Sequence, residues 1–279
     1  MYKILAKEPL APNIHWLKVG APEIAKKALP GQFVIVRVDE VGERIPLTLA
    51  DWDSKEGSVT LVAMEVGTST AKLAAHKAGD YISDVVGPLG LPSHIEKFGT
   101  VVCVGGGVGV APIFPIARAL RQAGNKIISI MGARSKDLLF WEAQLRKVSD
   151  ELIVTTDDGS YARKGVVTEP LKEVLERGEK NVRVIAIGPA VMMKFCSLTT
   201  KPFGVKTIVS LNSIMVDGTG MCGCCRVSVG GVTKFACVNG PEFDGHEVDW
   251  DLLFSRQQIY LAEEKHSFQL WQTCHCQKV

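Results

Sequence analysis

A chain of 279 residues is long enough for two domains of roughly 100–200 residues each plus a small appendage. Its 46% hydrophobic and 22% charged residues belong to a globular protein with well-developed cores. A formal charge of +2 gives no reason to expect nucleic acid or an anionic membrane as partner, and no run approaches the ~20 apolar residues needed to cross a bilayer.

The first segment, MYKILAKEPLAPNIHWLKV, alternates in polarity and is broken by Pro9 and Pro12. It lacks the apolar core and cleavage site of a secretory signal, so a cytoplasmic location is expected. Residues 1–96 have the pattern of an antiparallel β-barrel. GQFVIVRV (31–38) and SVTLVAME (58–65) are short β-branched runs with Gly and Pro in the turns between them. Within this region ERIPLT (43–48) sets Arg44 two residues before Pro46. A fixed guanidinium there suits a flavin diphosphate, with the backbone and Thr48 at the isoalloxazine edge; the competing reading is a surface arginine before a proline turn. VGTST (66–70) precedes a helix and is a second, weaker candidate for the same pyrophosphate.

After GPLG (87–90) the pattern changes. TVVCVG (100–105), KIISIMG (126–132), ELIVTT (151–156), RVIAIG (183–188) and KTIVSL (206–211) are apolar runs of the kind that buried parallel strands show. Between them Ile113, Ile116, Ala117 and Leu120 share a helical face, with Pro112 near its start and Gly124 at its end. Leu171, Val174 and Leu175 form another face, behind Thr168 as candidate N-cap. The alternation predicts a doubly wound α/β nucleotide-binding domain over 97–211. Three loops fall at the carboxyl ends of its strands: GGGVGVAP (105–112), TDDGSYARKGVVT (156–168) and GPAVMMK (188–194). The first departs from a strict G-x-G-x-x-G, Val110 standing at the last position, and alone it is also compatible with a tight turn that binds nothing. Together the three loops mark the edge where open α/β sheets bind their ligands.

Eight cysteines are spread unevenly, which speaks for metal or redox chemistry over a disulfide framework. Cys103 and Cys196 stand alone in apolar segments, and Cys274-x-Cys276 at the tail has the look of an incidental pair. The segment IMVDGTGMCGCCRVSVGGVTKFACVNG (214–240) places Asp217, Cys222, Cys225 and Cys237 in the C-x4-C-x2-C…C spacing of plant-type [2Fe–2S] sites, with aspartate where the first cysteine would be. Gly218, Gly220 and Gly223 allow close approach of backbone N–H groups to the sulfides. Two alternatives stay open at this point. Cys224 is a substitute for Asp217 as fourth ligand, and a structural zinc could use Cys222, Cys224, Cys225 and Cys237, although adjacent Cys224 and Cys225 make poor zinc geometry. A carboxylate is a harder donor than thiolate, so the reduction potential differs from an all-cysteine site.

In their order along the chain RIPLT, VGTST, GPLG, GGGVGVAP, TDDGS, GPAVMMK and the Asp/Cys segment resemble the ferredoxin reductase superfamily in its cluster-bearing branch. That branch includes the electron-transfer subunit of dihydroorotate dehydrogenase, which carries cysteine at the place of Asp217. VDGTGMCGCCRV instead resembles the small subunit of the electron-bifurcating NADH-dependent reduced ferredoxin:NADP oxidoreductases, also labelled sulfide dehydrogenase subunit beta. The resemblance covers essentially the whole chain. It implies a β-barrel FAD domain, an α/β NAD-binding domain and a small C-terminal [2Fe–2S] domain, with 212–279 as cluster segment and helical docking region. It also implies a heterodimer with a large subunit holding a second flavin and [4Fe–4S] clusters, which serves ferredoxin. The small subunit then forms the high-potential branch, from [2Fe–2S] to FAD to NAD(H). The candidate FAD contacts are Arg44, Pro46, Leu47, Thr48, Val62, Gly67, Thr68, Ser69 and Thr70. Gly105, Gly107, Gly109, Asp157 and Gly188 are those of the nicotinamide nucleotide, and Asp217, Cys222, Cys225 and Cys237 are the ligands.

Many superfamily members have cysteine before the Gly-Pro near the nicotinamide, where this chain has Ile187, so positioning must replace any thiol assistance. No side chain is expected to act as a covalent nucleophile. IMGARSKD (130–137) lacks the acid that binds a ribose 2′-hydroxyl. Arg134, Ser135 and Lys136 suit either a 2′-phosphate or a solvated helix start capped by Asp137, while the resemblance points to NAD(H). Other readings are coupling to dihydroorotate oxidation, a stand-alone NAD(P)H:polysulfide or acceptor reductase, and a nucleotide-binding module without redox function.

Overall fold

The computed structural model describes residues 1–276, with side chains to residue 274, so expectations for the Cys276 thiol lie outside the described residues. The first unit holds β1 (Tyr2–Ala11), β2 (Ile14–Gly20), α1 (Pro22–Ala25), β3 (Phe33–Arg37), β4 (Arg44–Asp53), β5 (Ser58–Met64), α2 (Thr68–Ala75), β6 (Tyr81–Ile82) and β7 (Asp84–Leu89). The antiparallel order is β6-β1-β2-β5-β4-β3-β7. The two edge strands are separated in sequence by Ser83 alone, whose N–H donates to the Val38 carbonyl at 3.1 Å. The chain thus carries one edge of the sheet into the other and nearly closes a barrel. Its interior is aliphatic, with Leu17, Val19, Val34, Val36, Leu49 and Leu61 fully buried.

Continuing along the chain are β8 (Thr100–Gly106), α3 (Val110–Gln122), β9 (Lys126–Ala133), α4 (Glu142–Val148), β10 (Glu151–Thr156), β11 (Arg163–Lys164), α5 (Thr168–Glu176), β12 (Val182–Ile187), α6 (Ala190–Thr200) and β13 (Thr207–Ser210). Strand β8 lies at the centre of the order β11-β10-β9-β8-β12-β13, and all these neighbours run parallel. Its alternate residues serve two cores. Val101 and Cys103 pack with Ile113, Ile116 and Leu120 of α3, while Val102 and Val104 pack with Leu171 of α5 and Met193 of α6. A strand covered on both faces has no polar side, which explains the unbroken apolar runs.

Two local expectations fail. Val167, not Thr168, occupies the N-cap of α5, because the Leu171 N–H already bonds the Val167 carbonyl; Thr168 is the first helical residue. Asp137 caps no long helix. It lies in a single 3₁₀ turn, accepts the Ser135 hydroxyl at 2.5 Å, and α4 begins only at Glu142.

The last segment forms β14 (Arg226–Val229), β15 (Val232–Phe235), α7 (Ala236–Asn239), β16 (Glu242–Asp244), α8 (Trp250–Gln257) and α9 (Leu261–Cys276). β14 and β15 make a hairpin over Gly230-Gly231, both at positive φ, as a two-residue turn of this hand requires. β16 adds antiparallel to β13 at the edge of the parallel sheet, so the cysteine-rich segment is stitched into the α/β unit. Barrel and α/β unit are joined by Arg118 of α3, which grips Asp51 of β4 with two hydrogen bonds of 2.7 and 3.2 Å and lies 5.1 Å from the Phe114 ring. Among the described residues no helix is long and apolar enough to cross a membrane.

Candidate functional site

The strand order reverses between β8 and β12, so the carboxyl ends of these strands flank a crevice where open α/β sheets take ligands. Gly105, Gly106, Gly107 and Gly109 lead from β8 into α3, while Gly188 follows β12. The two turns touch backbone to backbone. A Cβ at Gly109 would run into the Ile187 carbonyl, and one at Gly188 would lie 3.0 Å from the Gly106 oxygen. Gly107 has φ +52 and open space beside it. Only glycine meets these demands, so the crevice offers bare backbone at the start of α3. Asp157 lies exposed at the end of β10, with its N–H on the Ala133 carbonyl at 3.1 Å. At the end of β9, the Lys136 N–H donates to Ser160 at 2.8 Å and its ammonium lies 5.5 Å from the Tyr161 ring.

The second candidate region is an edge of the barrel. Pro46, Leu47 and Thr48 pair with Ile35, Val34 and Phe33 of β3, whereas β5 joins β4 only from Leu49 onward. Residues 44–48 therefore have one unpaired edge, where the missing N–H of Pro46 costs no ladder bond. Glu43 accepts the Ser69 hydroxyl at 2.7 Å, which holds this edge against the start of α2. The Thr70 hydroxyl accepts from the Val66 and Gly67 N–H groups at 3.0 and 3.1 Å and donates to the Gly67 carbonyl, so it serves the turn. Thr68 shares a hydrogen bond of 2.8 Å with Ser267 of α9. Val62, a candidate flavin contact, lies at the junction between the units. It is 6% exposed and belongs to the same buried cluster as Ile14, Ala50 and Val110, which spends its side chain on the junction between the units.

The third region is the loop from Asp217 to Cys225. Gly218, Gly220 and Gly223 have φ of +84, +89 and +69, a sequence of left-handed positions that winds the loop around a concavity. Gly218 seats it on the barrel: a Cβ there would lie 2.7 Å from Leu89 and 2.8 Å from Ile35. Arg44 reaches across, its Nε donating to the Val216 carbonyl at 2.8 Å. The Asp217 carboxylate accepts three hydrogen bonds on Oδ2, from the Thr219 N–H (2.9 Å), the Thr219 hydroxyl (2.5 Å) and the Met221 N–H (3.2 Å). These bonds, that of the Thr219 hydroxyl foremost, hold its pKa below the usual carboxylate range. Oδ1 takes no hydrogen bond among the described residues, leaving one oxygen for a metal.

Cys225 and Cys237 are buried, their sulfurs 3.1 Å apart. Two thiolates on one tetrahedral metal, with bonds of about 2.3 Å, stand roughly 3.8 Å apart, so this pair needs little adjustment to share an iron. Burial foremost, then the Cys225 thiol, pushes the Cys237 thiol up to about 12. Cys222, at the exposed tip, is held below the usual thiol value, first by the Cys224 N–H. Among the described residues no three His, Cys, Asp or Glu side chains converge on one point. Cys103 and Cys196 are buried thiols pushed up to about 12 by desolvation, inert in the two cores.

Sequence reasoning missed Glu43, Gly106, Arg118 and the α8 residues that hold the loop. Arg256 donates to the Cys224 carbonyl at 3.1 Å, and Gln257 to the Asn212 carbonyl at 3.1 Å. These contacts join residues 32 and 45 positions apart, and no periodicity announces them.

Barrel, parallel sheet and appended cysteine loop together define an oxidoreductase of the ferredoxin reductase-like fold. Residues 103–197 match the oxidoreductase NAD-binding domain, and 212–249 match the iron–sulfur cluster binding domain of dihydroorotate dehydrogenase B. A solved structure of NADH-dependent reduced ferredoxin–NADP oxidoreductase superposes with a TM-score of 0.92 at 50% identity, covering 97% of this chain and 98% of that one. A Thermotoga maritima homologue of the dihydroorotate dehydrogenase B electron-transfer subunit is 50% identical over 267 residues, 96% of this chain and 94% of its own. The electron-transfer subunit itself from Desulforamulus reducens is 33% identical over 257 residues, covering 89% and 97%. Phthalate dioxygenase reductase, at 17% identity and TM-score 0.56, shares the fold, with 82% and 85% covered. The chain belongs to the family of dihydroorotate dehydrogenase B electron-transfer subunits and their homologues.

Two measurements test the geometry. Gly109→Ala should weaken nicotinamide-nucleotide binding by about tenfold or more, read by calorimetric titration, because its methyl group displaces the β12 turn. Asp217→Cys should keep a [2Fe–2S] EPR signal with shifted g-values and potential; an unchanged signal and potential would move the fourth ligand to Cys224.

Proposed function

We propose that this chain is the electron-transfer flavoprotein subunit of a bifurcating NADPH:ferredoxin/NAD oxidoreductase, taking single electrons from a large partner subunit at its cluster loop and delivering them as hydride to NAD⁺. The observation that carries this reading is the Arg44–Val216 hydrogen bond of 2.8 Å, which brings the candidate flavin edge and the candidate cluster loop together. FAD, when bound, supplies the exchange between two-electron hydride chemistry and the one-electron chemistry of a [2Fe–2S] cluster.

The chain's own residues position these groups. Arg44 spends Nε on Val216 and keeps its Nη1/Nη2 fork for a diphosphate, with the first turn of α2 beside it. The unpaired edge of β4 from Pro46 to Thr48 presents backbone to the flavin ring. Gly105, Gly107 and Gly109 receive the nicotinamide nucleotide, while Gly188 lets its turn lie close. Asp217, Cys222, Cys225 and Cys237 are the assigned ligands. At the loop tip Met221 (88% exposed), Val216 (43%) and Val238 (38%) make an apolar rim suited to a partner that brings its own redox centre close.

Coupling to dihydroorotate oxidation is the second reading, favoured by the family names. Aspartate at 217 favours the first; identity does not separate the two, being 50% both to the bifurcating enzyme's chain and to the Thermotoga homologue of the dihydroorotate dehydrogenase B subunit.

Tagged at native expression level, the chain should co-purify with a larger flavin- and iron–sulfur-bearing subunit, and NADH should reduce its flavin faster than NADPH in single turnover. Elution of the chain alone with full NADPH-dependent ferredoxin reduction would contradict the subunit reading.

A further inference from the structure

Two arginines that the reaction does not use stand behind the cluster loop. Arg226 donates from Nη1 to the Gly223 carbonyl at 3.0 Å, and Arg256 of α8 donates from Nη2 to the Cys224 carbonyl at 3.1 Å. Both line a cavity of ≈ 10 Å³ with Cys224 and Ser213, a residue 6% exposed whose hydroxyl has no hydrogen-bond partner among the described residues. No carboxylate lines this cavity, and neither arginine forms an ion pair among the described residues. Arg226 is exposed and Arg256 half-buried, so their charge is free to act on an anion in the loop their guanidinium groups touch. The loop supplies that anion, since two irons bound by a carboxylate and three thiolates are net negative and gain one further negative charge on reduction.

The contacts also orient donors. In a trans peptide the C=O and the following N–H point in opposite directions. Pinning the Gly223 carbonyl behind the loop therefore turns the Cys224 N–H inward, where it donates to Cys222, and pinning the Cys224 carbonyl fixes the orientation of the Cys225 peptide. α8 is a firm base for this. Asp249 caps it by accepting the Leu252 N–H at 3.0 Å, Trp250 and Leu253 are buried, and Gln257 holds Asn212 at the start of the segment.

We propose that Arg226 and Arg256 form a guanidinium clamp that positions the Gly223 and Cys224 peptide groups and raises the reduction potential of the cluster. Positive charge and inward N–H groups both favour the reduced, more negative state. The inference rests on the iron–sulfur reading of the loop.

The test is an anaerobic EPR-monitored redox titration of the full-length holoprotein, with iron and acid-labile sulfide measured on each sample. Arg226→Gln and Arg256→Gln should each shift the midpoint potential downward, and Arg256→Lys should lie between Arg256→Gln and wild type. A merely structural role would lower cluster occupancy but leave the potential of the remaining clusters in place. Glutamine variants with wild-type potential would overturn the clamp. Where a glutamine variant fails to assemble a cluster, Arg256→Lys decides: a downward shift upholds the clamp and an unchanged potential overturns it. A wild-type protein without iron and sulfide would sink the cluster reading itself, and the clamp with it.

Discussion

One hydrogen bond ties the two halves of this molecule's chemistry together: Arg44 at the open edge of the barrel donates to the Val216 carbonyl, 172 residues away. The contact is possible because Gly218, two residues on, has no side chain to hold the loop off Ile35 and Leu89. Electron transfer between cofactors depends on separation more than on acid–base chemistry. A protein of this kind therefore invests in seating loops against each other, and here the seat is built from a positive φ, a missing Cβ and one guanidinium.

The same economy is visible at the nucleotide crevice. Gly109 against Ile187 and Gly188 against Gly106 bring two turns into backbone contact at the point where the strand order reverses. Ile187, at the end of β12, carries no titratable or nucleophilic group. The thiols divide in two. Cys103 and Cys196 are buried hydrophobes, while the four cysteines of the 222–237 stretch lie on or beside a left-handed loop whose Thr219 and Met221 N–H groups serve the Asp217 carboxylate.

Much of this was legible in the residues. Val101 to Val104 form an unbroken apolar run because alternate side chains serve different cores, and such a run has few explanations other than a covered parallel strand. The iron–sulfur segment, matched over 212–249, was legible for a different reason: ligand chemistry restricts which residues stand at which intervals. A local rule failed at the start of α5, where an apolar residue holds the cap position. Thr168 was a reasonable cap, yet the backbone begins the helix one residue earlier, on Val167. Val62 shows a further limit. Alternation tells which residues of a strand share a face but not whether that face meets a cofactor or a neighbouring domain. Contacts such as Gln257 with Asn212 leave no periodic trace, since a polar residue on a short helix has the same pattern whether it touches solvent or a loop.

The central claim is that flavin edge and cluster loop form one conduction path within this chain. Freeze-quench EPR of the isolated anaerobic holoprotein, after one equivalent of NADH, tests it most directly. The account predicts that the reduced [2Fe–2S] signal grows in as the flavin absorbance returns, at a rate independent of protein concentration. A cluster that stays oxidised while the flavin is fully reduced, or that reduces only in proportion to protein concentration, would contradict it.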